Sequence, residues 1–302
     1  MTPLVNAIKS GRESEAIALI AAGADACQTN PSNHTPLLLA AQRGQTRLVL
    51  RLIEAGAEID SQDMDRGLTP LIAAVLGCYP DATRALLDAD AGLEKMTHEG
   101  RNALCAARRS LETRGENSAA RQVLEHLEAA LKGRLARAEP SSLRLAAAVG
   151  DGAALEALLE QGVGHDVPDH WNTAAVSHAS INGHARLVGR LIALGADVTR
   201  VTRRRVYFER MTFHDALGWA IFRDHPEVIA VMAASSIEFN RQDLRGETPL
   251  MRAARWGRVG AARALIEGGA DLGLRNRRSQ RAVDVAAEAS QPALVEVLEA
   301  NR

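Results

Sequence analysis

Short apolar bursts separated by glycine-bearing polar stretches run along the whole chain, and they share a common phase. Thr2-Pro-Leu-Val-Asn-Ala, Thr35-Pro-Leu-Leu-Leu-Ala, Thr69-Pro-Leu-Ile-Ala-Ala and Thr248-Pro-Leu-Met-Arg-Ala match directly. With the threonine as position zero, the phase continues at Asn102, Ser141, Ala174, Asp215 and Arg281, giving spacings of 33, 34, 33, 39, 33, 41, 33 and 33 residues. Position two is then Leu or Val, and position five is alanine, in every one of these nine segments. Self-similarity at such a period is the mark of a repeat architecture, in which each unit buries its apolar face against its neighbours.

Each repeat predicts a pair of short helices. A hydroxyl at position zero can cap a helix, and proline fits the first helical turn because its missing N–H costs nothing there. Leucine at position two enters the core, and alanine at position five lets two helices approach closely. Position nine is glycine in five repeats (Gly11, Gly44, Gly150, Gly183, Gly257), suited to the left-handed conformation that stops a helix. Paired aliphatics such as Leu52-Ile53, Leu158-Leu159, Leu191-Ile192 and Leu265-Ile266 mark the second helix, which stops at Gly23, Gly56, Gly195 or Gly269. A hairpin-like loop follows, turning on Gly67, Gly100, Gly246, Asn33 or Asn172.

The unit of 33 residues with Thr-Pro-Leu-x-x-Ala and Gly-Ala-Asp resembles the ankyrin repeat, over residues 2–302. That resemblance implies an all-α, ankyrin-repeat solenoid of helix-turn-helix-hairpin units. Hairpins and first helices would line its concave side, with second helices outside. The repeats take up nearly the whole chain and leave no length for a separate catalytic domain.

Two places break the register. In repeat four, position nine is Leu111, and Glu112–Ser118 is polar, predicting a loop. Beyond it Ala119, Val123, Leu124, Leu127, Ala130, Leu131 and Leu135 recur at helical spacing, predicting a long second helix over Ser118–Arg137. Repeat five then reads like the opening of a fresh array. The expected organisation is an N-terminal subarray, 1–139, and a C-terminal subarray, 140–302, joined near Glu139-Pro140. The second break is an extended hairpin insertion at 201–214, carrying Arg203, Arg204, Arg205 and Arg210 with Tyr207, Phe208 and Phe213. At a hairpin, such an insertion should form a finger beyond the concave rim.

Composition narrows the functional classes. The formal charge of −1, from 36 Lys+Arg against 37 Asp+Glu, argues against a general polyanion binder. The longest apolar runs, Ala16–Ala22 and Val228–Ala234, fall far short of the ~20 residues of a membrane span. No secretory signal is visible at Met1–Asn6, and the three cysteines read as reduced thiols, so a cytoplasmic location is expected. Repeat nine, with Glu288, Gln291, Glu296 and Glu299, has the polar outer face of a capping unit.

Aromatic residues are few, and eight of the nine lie between Trp171 and Trp256. Trp219 and Phe239 fall at core positions. Phe222 and Trp256 fall at positions seven and eight of their first helices, where they should face the groove, and Trp171 falls at a hairpin tip. Large aromatics on a solvated ridge have the composition of a binding hot spot. The expected partner-binding residues are therefore Trp171, Arg203, Arg204, Arg205, Tyr207, Phe208, Arg210, Phe213, Phe222 and Trp256.

Arg275, Arg277, Arg278 and Arg281 form a further basic cluster. With the finger they raise an alternative, electrostatic binding of nucleic acid or anionic membrane. Against it, 33 of the 36 basic residues are arginine, a general bias that weakens any one cluster. Phosphate-loop, dinucleotide, zinc-protease and nucleophile-elbow motifs are missing, so no enzyme activity and no cofactor are expected. His165-Asp166 and Asp169-His170 crowd one hairpin, but a metal needs a second shell that an exposed tip does not supply. The reading is a non-catalytic, monomeric scaffold binding a protein with an acidic patch. Similar bacterial proteins include secreted effectors and the inhibitor or immunity partners of toxins.

Overall fold

The structure is a computed structural model that describes residues 2–30, 33–114, 117–169, 171–202 and 215–301, Arg114 by its backbone alone. Among these residues there are eighteen α-helices and no strand. They fall into two compact units, one within residues 1–137 and the other within 138–302.

The first unit holds α1 (Pro3–Lys9), α2 (Glu13–Ala21), α3 (Pro36–Ala41), α4 (Thr46–Glu54), α5 (Pro70–Leu76), α6 (Pro80–Asp88), α7 (Ala103–Arg114) and α8 (Ser118–Leu135). Odd-numbered helices pack on one another in sequence, and so do even-numbered ones, making two layers. The second unit holds α9 (Pro140–Val149), α10 (Gly152–Glu160), α11 (Ala175–Ile181), α12 (Ala185–Ala193), α13 (Ala216–Arg223), α14 (Pro226–Ala234), α15 (Pro249–Trp256), α16 (Val259–Glu267), α17 (Ala282–Glu288) and α18 (Pro292–Ala300). Its first helices run in one layer from α9 to α17, and α12, α14, α16 and α18 in the other.

Position zero caps the first helix as its chemistry dictates. The hydroxyls of Thr2, Thr35, Thr69 and Thr248 accept the N–H three residues on, at 3.1–3.4 Å. Asn102 and Asp215 do the same with an amide and a carboxylate oxygen, at 2.9 and 2.8 Å. Arg281 cannot accept, and there the bond is reversed: its own N–H donates to Asp284 Oδ2 at 2.8 Å. Repeat five departs from the expected phase. Pro140 occupies the first turn, Glu139 becomes the cap residue, and Ser141 lies inside the helix.

Helix ends follow backbone conformation more closely than residue type. Every left-handed residue among those described falls at one of three repeat positions. Position nine is glycine in five repeats but Cys78, Asp224 and Ser290 in three others, with φ between 55° and 59°. Position twenty-one, the end of the second helix, is likewise Asp90 in repeat three and Ser236 in repeat seven, and glycine in five others. The joint is a property of the unit, and glycine is its least strained occupant.

Repeat four lacks that joint and corrects one expectation. With Leu111 at position nine, α7 runs on through Glu112, Thr113 and Arg114, where a polar loop was expected. Thr113 returns its hydroxyl to the Arg109 carbonyl at 2.9 Å, the back-bond that a threonine inside a helix makes to the preceding turn. α8 then starts at Ser118, capped by Asn117, and its buried face is Ala120, Val123 and Leu127.

The core is made of small residues in register. All nine position-five alanines are buried. All position-two residues are buried too, except Val283 in the last repeat, which is half-buried.

Candidate partner-binding site

The first-helix layer is held from one repeat to the next by a side chain at position ten. Tyr79 covers Gly44, His184 covers Gly150, His225 covers Gly183 and Gln291 covers Gly257, each so closely that a methyl group there would lie within 2.9 Å of it. The two histidines also reach the carbonyl at position seven of the preceding repeat, His184 Nε2 to Ala148 O at 3.2 Å and His225 Nε2 to Ile181 O at 3.0 Å. A carbonyl only accepts, so Nε2 carries the proton in both. Burial lowers the pKa of His225 and keeps it neutral; the bond to Ile181 opposes the shift, and Arg223 adds to it.

Most of the described hairpins are held by an Asx side chain at the start of the turn, and the one before α7 by the Thr97 hydroxyl. Asp63 Oδ1 accepts the N–H of Arg66 and Leu68, Asp169 Oδ1 those of Trp171 and Thr173, and Asp243 Oδ1 those of Arg245 and Glu247, all at 2.8–3.0 Å. Asn276 does the same for Arg278 and Gln280. This accounts for the acid at Asp169, while Asp166 pairs with Arg200. Among the described residues no group of three or more His, Cys, Asp and Glu could hold a metal ion.

On this frame, α13 and α15 carry an aromatic stack. Trp219 is fully buried and donates from Nε1 to Thr202 Oγ1 at 3.1 Å. Phe222, one turn on, meets it edge to face with centroids 6.0 Å apart, and meets Trp256 of the next repeat edge to face at 5.4 Å. Phe222 and Trp256 are half-buried, so the stack grades from core to surface. Guanidinium groups lie over the two outer rings, Arg252 at 5.1 Å from Trp256 and Arg258 at 5.7 Å from Phe222. Desolvation pulls the Arg252 pKa below the usual arginine range, and the field of Asp215, Asp243 and Glu247 opposes it. Asp215 also pairs with Arg241, and Glu247 with Arg255.

Of the residues singled out in the sequence, Phe222 and Trp256 are thus in contact. Trp171 stands half-buried on the hairpin before α11. Arg203, Arg204, Arg205, Tyr207, Phe208, Arg210 and Phe213 lie outside the described residues, as does His170. Trp219 and Phe239 are core, as expected from their phase. Arg252 and Arg258 were missed. The available signal was an arginine at position four of repeat eight, the position that Trp219 fills in repeat seven.

Residues 1–63 and 217–301 match the family model for ankyrin repeats, in three copies. The chain is an ankyrin-repeat protein, built from a module that serves protein–protein interaction and is typically not enzymatic. It is also similar to dauer abnormal formation protein 25 of Caenorhabditis elegans, 31% identical over 102 residues. That match takes 34% of this chain and spans 26% of the worm protein. Among the described residues no helix is long and apolar enough to cross a membrane.

Proposed function

We propose that this protein is a non-catalytic scaffold that binds a protein partner on the first-helix face of repeats seven and eight. One observation carries the reading: Phe222 and Trp256 remain half-exposed at the end of an ordered stack anchored by Trp219. A rigid aromatic pair offers a partner large contact area without an ordering cost on binding. The arginines over both rings favour a partner with an acidic patch. The finger at 201–214 belongs to the same proposed surface by its sequence. A monomeric cytoplasmic scaffold, and the roles of effector or toxin inhibitor, are compatible with this mode of binding.

Internal charge pairing weighs against the electrostatic alternative. In the last hairpin, Arg278 pairs with Glu288 at 3.4 Å, Arg281 with Asp284 at 3.4 Å, and Arg275 donates to Ser279 O at 2.6 Å. Arginines already paired within the fold must give up those partners before they can neutralise phosphates and release the polyanion's counterions.

Affinity capture from native cytosol with mass spectrometry tests the reading, using the whole chain beside Trp256→Ala and Gln42→Ala. The partner should be a protein lost with Trp256→Ala and retained with Gln42→Ala. Capture that ignores Trp256 removes the proposal. Tyr79 is unsuitable as a control because it packs on Gly44 and Gly77.

A further inference from the structure

Leu244 is 82% exposed, far more than any other large apolar side chain described. It sits at the tip of the turn Asp243–Gly246, closed by a bond from Gly246 N to Asp243 O at 2.9 Å. A single exposed leucine is ordinary on a protein surface. Its surroundings are what distinguish this one. Arg245 follows it directly, and the neighbouring hairpin tip is tied on by Arg277 N donating to Arg245 O at 3.1 Å. Most arginines nearby are engaged: Arg241 with Asp215, Arg255 with Glu247, Arg278 with Glu288. The guanidinium groups of Arg245 and Arg277 have no hydrogen-bond or ionic partner among the described residues. Asp243, two residues before Arg245, has one carboxylate oxygen committed to the turn. An exposed leucine and two cations without a partner among the described residues thus share two hairpin tips joined by a backbone bond.

We infer that this hairpin edge docks a short acidic segment of a protein, with an aliphatic or aromatic side chain on Leu244 and carboxylates on Arg245 and Arg277. The inference rests on the protein-binding reading and extends it from the first-helix face to the hairpin edge. Two free cations are few for a nucleic acid, whose backbone has no use for a leucine. A membrane fits less well still. A single myristoyl chain, with far more buried methylene than one leucine, binds only marginally. Carboxylates on the two guanidinium groups, with an apolar side chain on Leu244, use all three side chains at once.

The test is a selection of random dodecapeptides displayed on phage against the full-length chain. The strongest binders, made synthetically with a fluorescent label, are then titrated by anisotropy. Selected sequences should carry at least two Asp or Glu close to an aliphatic or aromatic residue. Leu244→Ser, and separately Arg245→Glu with Arg277→Glu, should each weaken binding by at least about tenfold, with circular dichroism unchanged. Trp256→Ala, which removes no side chain of the edge, should leave the peptide affinity within about twofold. Failure to select peptides, a selection without acidic enrichment, or edge variants that bind as the parent does would each overturn the assignment. So would a twelve-nucleotide single-stranded DNA or phosphatidylserine vesicles binding more tightly than the peptides and losing affinity with the same substitutions. If Trp256→Ala abolishes peptide binding while the edge variants do not, the edge falls and the aromatic surface stands. If the edge variants lose the peptide while native-partner capture ignores Trp256, the edge stands and the aromatic surface falls.

Discussion

Alanine at position five is the residue on which the packing depends most directly. Ala40 and Ala253 have no accessible surface, and each lies in a first helix packed against the first helices on either side. Ala40→Leu and Ala253→Leu should each cost about 1–3 kcal/mol in a denaturant titration, by overpacking. The left-handed joints can be probed without steric interference at Gly56. There φ is 80° and an added methyl would meet nothing within 4 Å. Gly56→Ala should cost roughly 1–2 kcal/mol from backbone conformation alone. His225 links packing to pH. Because burial lowers its folded pKa, the unfolded chain takes up a proton first as pH falls below the ordinary value of 6.5. The stability this residue contributes is therefore full above that pH and lost on acidification through the lower folded pKa. Asp224 and Glu227 moderate the shift, and Arg223 adds to it. His225→Gln should flatten the decline in midpoint between pH 7 and pH 5, since Gln291 fills the same position in repeat nine. At this scale the sequence was most readable where a position allows one kind of side chain. Position nine was legible as glycine but not as Cys78, Asp224 or Ser290, because the repeat imposes the backbone and tolerates the strain.

Whole helices were legible in proportion to the regularity of their repeat. α8 begins where its cap and apolar spacing place it, at Ser118, and ends at Leu135, close to the expected Arg137. The end of α7 was not legible. A polar run reads as loop by composition, yet without a left-handed residue nothing stops the helix, and three polar residues continue it. Pro140 shifted the start of α9 by the same kind of local rule, since its fixed φ suits the first turn and displaces the cap to Glu139. The hairpin Asx turns were also invisible to a search for helix periodicity, because Asp63, Asp169 and Asp243 read as solvated charge until their backbone partners are seen.

For the molecule as a whole, the fold class follows from nine segments in one phase, whereas the site does not follow from repetition. Binding positions are those the repeat leaves free, so only their departure from consensus marks them. Phe222 and Trp256 stood out by size and phase, but the contact between them is seen only in the structure. The role of Arg252 depends on a neighbour's ring, which no single-residue rule supplies. We also propose that the subarrays 1–139 and 140–302 fold independently, as coupling in repeat arrays passes only through neighbouring interfaces. Expressed separately, each fragment should show helical circular dichroism and its own cooperative unfolding transition. A fragment that is unfolded alone contradicts this.

The central claim is that a protein partner covers the exposed rings of repeats seven and eight. Hydroxyl-radical footprinting of the free chain and of its complex with the captured partner reads those rings directly, because aromatic side chains are oxidised in proportion to their exposure. Oxidation of Trp256 and Phe222 should fall several-fold in the complex while that of Tyr79, in the first unit, stays unchanged. Equal oxidation of Trp256 and Phe222 in both states, with protection confined to the first unit, would contradict it.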